Sequence, residues 1–167
     1  MSWISGSRVV ALRRRLEPLL RHVVHFYFRF ARGMTLGVRA VVLDGEGRVF
    51  LVRHSYVEGW YLPGGGVDVG ETMAEAMRRE LKEEGNIDLT GDAGLHGVFF
   101  NGHVSRRDHV AVYVVRHFTQ EHAPVPNHEI VETGFFPPAE LPGGTTPGTR
   151  LRIAEVLDGR PLIETWR

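Results

Sequence analysis

The run Leu62-Pro63-Gly64-Gly65-Gly66-Val67-Asp68-Val69-Gly70-Glu71, followed after Thr72 by Met73-Ala74-Glu75-Ala76-Met77-Arg78-Arg79-Glu80-Leu81-Lys82-Glu83-Glu84-Gly85-Asn86-Ile87, decides how this chain is read. The glycine run lets backbone approach a ligand closely, and its N–H groups can cradle phosphate oxygens. Gly64, Gly65 and Gly66 are therefore candidate substrate contacts. Residues 72–85 read as a helix. At about 100° per residue, with Met73 at zero, Met77 falls near ~40°, Leu81 near ~80° and Ala76 near ~300°, which defines the buried face. Arg78, Glu75 and Lys82 lie opposite and belong to solvent. Glu84 falls at about 20°, between the two methionines, with Glu80 near ~340° and Glu83 near ~280°. Three carboxylates thus crowd the apolar edge of the last two turns.

Such a cluster is costly. Like charges at i,i+4 repel by only a few tenths of a kcal/mol, and negative charge at a helix C-terminus costs about 0.3–1 kcal/mol. Partial burial of unpaired carboxylates is the larger effect and drives their pKa values up. A bound divalent cation offsets all three, and an all-oxygen ligand set points to Mg²⁺ or Mn²⁺. A solvated acidic turn at a tapering helix end is the alternative. A glycine loop, then a helix, then carboxylates at its far end form a more specific combination than any one of them.

Outward from this centre, Val38–Asp44 and Arg48–Arg53 are β-rich runs joined by Gly45-Glu46-Gly47, which predicts a hairpin. Leu95–Asn101, His109–Phe118 and Ile130–Phe136 read as further strands. A closing helix fits Thr149–Leu157, with Thr149 as N-cap and Gly159 just past its end. Residues 119–128 and 137–148 are loops. The mixture predicts an α/β layered domain with a mixed sheet. A length of 167 residues suits one domain with a real core. Cysteine is absent, which excludes disulfides, thiolate metal sites and cysteine nucleophiles and is compatible with a cytoplasmic location. Twenty basic and twenty acidic side chains cancel, so there is no global basic field and DNA is not an expected partner.

The cancellation hides an asymmetry, because residues 1–32 hold seven Arg and one Glu. In this arm Val9, Leu12, Leu16, Leu19, Val23, Phe26 and Phe30 trace the seam of an amphipathic helix, with a kink expected at Pro18. The arm is divided from the body as residues 1–33 against 34–167. It would pack on the body or on a second copy, giving a homodimer, or lie on an anionic membrane surface, or act as a mitochondrial presequence. No stretch approaches the roughly 18 uninterrupted apolar residues of a membrane span.

The central run resembles the Nudix hydrolase family. The family's box is Gly, five residues, Glu, seven residues, then Arg-Glu-aliphatic-x-Glu-Glu-x-Gly-aliphatic. It falls on Gly65, Glu71, Arg79-Glu80-Leu81, Glu83-Glu84 and Ile87, a span of 23 residues, with Asn86 in place of the family's last glycine. That position ends the helix and needs positive φ, which Asn tolerates best after Gly. The resemblance extends over about residues 36–158 and implies an α/β/α sandwich. It also implies hydrolysis of a pyrophosphate bond in a nucleoside diphosphate linked to another group, with metal on Glu80, Glu83 and Glu84. Glu80 is either a ligand or the group that orients or deprotonates the attacking water.

Arg79 is expected to orient the cluster through Glu75 or Glu83 at i,i±4, and Glu71 to suit the helix N-terminus. The family often adds a carboxylate from a later loop, for which Glu129 and Glu132 are candidates. Arg53, His54, Arg106 and Arg107 would meet phosphates or form a solvated strand end. Trp60, Tyr61, Phe99 and Phe100 would stack on a base or fill the core. His103, His109, His117, His122 and His128 show no metal-ligand spacing. The family's ADP-ribose and diadenosine-polyphosphate marks, Pro and Tyr downstream of the box, are replaced by Gly102 and Val104. The remaining substrates are a nucleoside triphosphate, a sugar nucleotide, an RNA 5′ end or an unassigned nucleotide. Two rivals are a nucleotide-sensing module without turnover and a membrane-docked diphosphohydrolase acting on a phosphorylated lipid precursor.

Overall fold

Alternation along the strands builds the layers. In β1 (Thr35–Val42), Val38, Ala40 and Val42 face one core, while Val41 and the following Leu43 face another. β2 (Val49–His54) repeats this, with Phe50 and Val52 on the first side and Val49 and Leu51 on the second. Strands apolar on both faces must be covered on both faces. Helix α1 (Met73–Gly85) covers the first with Ala76, Met77 and Leu81. Helix α2 (Pro147–Asp158) covers the second with Ile153, beside Trp60, Leu62 and Phe99. Each fully buried Met or Leu on these faces is worth about 1.5–3 kcal/mol. The result is the expected α/β/α sandwich, seen in a computed structural model that describes Val24, Tyr27, Phe28 and residues 31–167.

The sheet is mixed. β5 (Asp108–Val115) is central, parallel to β1 and antiparallel to β4 (Gly94–Phe100). β2 pairs antiparallel with β7 (Ile130–Phe136) in an adjoining two-stranded sheet. Two short strands missed in the sequence, β3 (Asp88–Leu89) and β6 (Phe118–Thr119), pair with each other. The expected hairpin between β1 and β2 holds only at its turn. There Leu43 bridges Val49, and the Gly47 N–H donates to the Asp44 carbonyl. Beyond that the strands part, because both edges of β1 are taken. β5 occupies one edge, and the segment Pro63–Val67 hydrogen-bonds along the other through Val38 N to Gly65 O, Ala40 N to Pro63 O and Val67 N to Leu36 O. The glycine loop is thereby clamped to the sheet.

A second correction concerns α2. Its N-cap is Thr146, not Thr149, and Pro147 occupies the first helical position, where a fixed φ and a missing N–H cost nothing. Gly159 ends the helix in the left-handed region as expected. Of the arm, Val24, Tyr27, Phe28 and Ala31 are helical, and the rest of the predicted amphipathic helix lies outside the described residues.

Candidate active site

Local sequence places α1. Thr72 caps it, its hydroxyl accepting from the Glu75 N–H while the Glu75 carboxylate accepts from the Thr72 N–H. This reciprocal box explains why Glu75 is not the partner of Arg79. Asn86 ends the helix at φ 50°, and its N–H reaches back to the Leu81 and Lys82 carbonyls. Asparagine fills the position where left-handed backbone is needed, as anticipated.

The three carboxylates of the last turns meet different surroundings. Glu84 is 5% exposed, and its Oε2 accepts from the Gly64 N–H at 2.7 Å. Burial pushes its pKa up to about 7, opposed by the charge of Arg39 and the Gly64 N–H and reinforced by Glu80 and Glu129. Glu80 is partly buried, and burial raises its carboxyl as well, against the pull of Arg79. Glu83 differs from the helical-wheel expectation, since its side chain is 60% exposed. Leu81, Glu84 and Gly85 around it are buried, so Glu83 turns outward from the covered face and borders the cluster from the solvent side.

Arg79 organises the group. Its Nη1 donates to Glu80 at 2.6 Å and to Glu83 at 3.4 Å, its Nε to Glu71 at 3.0 Å, and its Nη2 to the Gly66 carbonyl at 3.0 Å. Glu71, held also by the Asp68 N–H, has its carboxyl pKa lowered, the Arg79 hydrogen bond being the largest cause. The glycines serve this packing. A Cβ on Gly65 would overlap the Glu80 carboxylate, and one on Gly64, at φ 137°, would overlap the Val38 carbonyl. The Gly64 N–H is committed to Glu84 instead of standing free for a phosphate.

Among the described residues, one group of three offers ligand atoms all within 4.8 Å of one another: His54, Glu84 and Glu129. Glu129 is exposed and accepts from the Tyr56 hydroxyl at 3.3 Å. The structure brings it to Glu84, while Glu132 pairs with Arg53 at 2.7 Å on the strand edge. Arg106 is exposed. Of the aromatic candidates, Trp60 and Phe99 are buried in the second core. Tyr61 lines a cavity of about 470 Å³ together with Arg39, Gly65, Gly66 and Asn101.

Of two further residues at this centre, Arg39 was not singled out in the sequence, whereas His54 was, as a phosphate contact or part of a solvated strand end. Arg39, whose Nη1 donates to the Leu62 carbonyl at 2.9 Å, supplies positive charge beside Glu84 and Glu80. His54 is buried, not part of a solvated strand end. A charged residue within the apolar run Val38–Val42 was the available signal for Arg39.

A family model described as NUDIX domain matches residues 33–157. The chain is 43% identical over 54 residues to an RNA pyrophosphohydrolase of Pseudoalteromonas translucida, covering 32% of this chain and 31% of that protein. It is 37% identical over 65 residues to an 8-oxo-dGDP phosphatase of Mus musculus, covering 37% of this chain and 20% of that protein. The matches thus span a third or less of these curated relatives. Among solved structures, a MutT Nudix hydrolase from Burkholderia pseudomallei gives a TM-score of 0.64 at 28% identity, over 73% of this chain and 97% of that one. An ADP-ribose pyrophosphatase from Streptococcus suis gives 0.59 at 25% identity, over 80% and 96%. With the box residues packed around Gly64 and Glu84 inside the matched segment, the chain belongs to the Nudix hydrolase family.

Proposed function

We propose that the protein hydrolyses a pyrophosphate bond in a nucleoside diphosphate linked to another group, using Mg²⁺ or Mn²⁺ held by Glu80, Glu83 and Glu84. The observation that carries this reading is the buried Glu84 carboxylate, fixed by the Gly64 N–H and set beside a second partly buried carboxylate. That arrangement is unfavourable for a metal-free ionised site and favourable for one that holds a cation. When bound, a divalent cation neutralises phosphate charge and lowers the pKa of the attacking water.

The chain's own groups do the positioning, which is most of what phosphoryl transfer requires. Arg79 holds Glu80 in place and ties it to Glu71 and to the glycine loop, so the carboxylates do not swing apart under their mutual repulsion. Glu129, exposed and adjacent to Glu84, is the group placed to take the proton of the water. Arg39, along the cavity that the glycine loop borders, supplies a cation for the polyphosphate. Tyr61, on the same wall, offers a face for a base.

Phosphate release tests the reading, measured on nucleoside triphosphates, sugar nucleotides, dinucleotides and triphosphorylated RNA with Mg²⁺ or Mn²⁺. Glu83→Gln is the matched control, because an exposed side chain can lose its charge without disturbing the fold. Metal-dependent release that falls at least about a hundredfold in the variant is expected. No release from any substrate, with a metal–nucleotide complex still detected by calorimetry, would replace the hydrolase with a nucleotide-sensing module.

A further inference from the structure

Glu84 has a task in the proposed hydrolysis; His54 beside it has none. His54 is 5% exposed, and neither ring nitrogen has a hydrogen-bond partner among the described residues. A buried polar group left unpaired costs about 1–3 kcal/mol. The ring lies between Tyr56 and Tyr61, with centroids at 5.1 and 5.8 Å. Its Nε2 stands 3.8 Å from Glu84 Oε1. That is too long for a hydrogen bond. It falls between the separations of about 3 Å and about 4.2 Å that atoms about 2.1 Å from one ion take at right angles and across it.

The surroundings are built around this corner. Pairing along β2 and β7 shifts between Arg53 and His54, so Arg53 faces Glu132 while His54 faces Ile130. The shift brings Glu129 alongside. Ser55 then locks that turn, its N–H donating to the Glu129 carbonyl at 2.8 Å and its hydroxyl to the His128 carbonyl at 2.6 Å. The Asn127 side chain accepts from the Glu129 and Ile130 N–H groups.

We propose that His54 Nε2 is a metal ligand, joining Glu84 in a mixed nitrogen–oxygen site that Glu129 borders and that favours Mn²⁺ over Mg²⁺. Magnesium takes oxygen ligands and gains little from an imidazole, whereas first-row transition ions accept it. The proposal rests on Glu84 as a metal ligand and is independent of turnover.

Titration of the metal-free protein with MnCl₂ and MgCl₂, followed by pulsed electron paramagnetic resonance of the Mn²⁺ complex, tests it. The expected result is ¹⁴N modulation from a directly bound nitrogen in the wild type, absent in His54→Gln. Mn²⁺ affinity should fall at least about tenfold in that variant while Mg²⁺ affinity changes less than about threefold. Wild-type protein carrying ¹⁵N-histidine gives the same answer if the variant fails to fold, since the modulation must then take the ¹⁵N pattern. Absence of nitrogen modulation in the wild type, or equal loss of both metals in the variant, overturns the proposal. Nitrogen coupling without any phosphate release would sink the hydrolase reading alone; release without coupling would sink the His54 site alone.

Discussion

In the metal-free protein at pH 8, replacing Glu84 by Gln should stabilise the fold. The Glu84 carboxyl titrates near about 7 when folded and near its ordinary 4.5 when unfolded, and burial is the dominant cause. Between those two values the folded state binds more protons than the unfolded one, so stability falls as pH rises through the window. At 1.36 kcal/mol per pH unit, the wild type carries a penalty of about 3 kcal/mol above pH 7 that vanishes below pH 4.5. Glutamine keeps an acceptor for the Gly64 N–H and has no charge to desolvate. Urea unfolding in chelator should therefore show Glu84→Gln more stable by about 2–3 kcal/mol at pH 8 and nearly equal to wild type at pH 5. Excess MgCl₂ at pH 8 should reverse the order, because ligand binding to the folded state stabilises the protein that binds better. A variant less stable than wild type at pH 8 without metal, or a difference that does not change with pH, would refute the buried-charge account.

Gly65→Ala should leave stability nearly intact but displace the Glu80 carboxylate, lowering kcat at least about tenfold; Gly64→Ala, which meets backbone at φ 137°, should cost several kcal/mol in thermal unfolding. Asn86→Ala should cost about 1 kcal/mol by urea denaturation and Asn86→Gly almost nothing, since both must adopt φ near 50°. Arg152 and Glu155 pair at 2.7 Å with both side chains fully buried, Arg152 lying 3.8 Å over the Phe99 ring. Removing one charge by Glu155→Gln should destabilise the fold by about 3–5 kcal/mol in calorimetry or denaturant unfolding, with metal affinity unchanged.

Helix α1 was readable almost to the residue because everything that defines it is local. The apolar spacing and the asparagine stop each act over no more than about five positions along the chain. The same wheel placed Glu84 on the buried face, and that is where it lies. It failed for Glu83, at about 280° on the edge of the apolar face, because an angle about the axis does not say how wide a stripe the core covers. Thr149 looked like a cap, but Pro147 shifts the start of α2 three residues earlier. The strands Val38–Asp44 and Arg48–Arg53 are apolar on both faces, so alternation alone could not tell a simple hairpin from strands that part into adjoining sheets.

Residue order alone carried the helical faces, the helix stops at Asn86 and Gly159 and the box that resembles the Nudix family, since each is set by residues close together in the chain. The folded chain selected which polar groups share a corner. Glu84 meets Gly64 twenty residues away only because the glycine loop is held along β1. His54 meets Glu129 only through the register shift between β2 and β7. Strand order and register are settled by competition among many apolar edges, and no short stretch of sequence contains that competition.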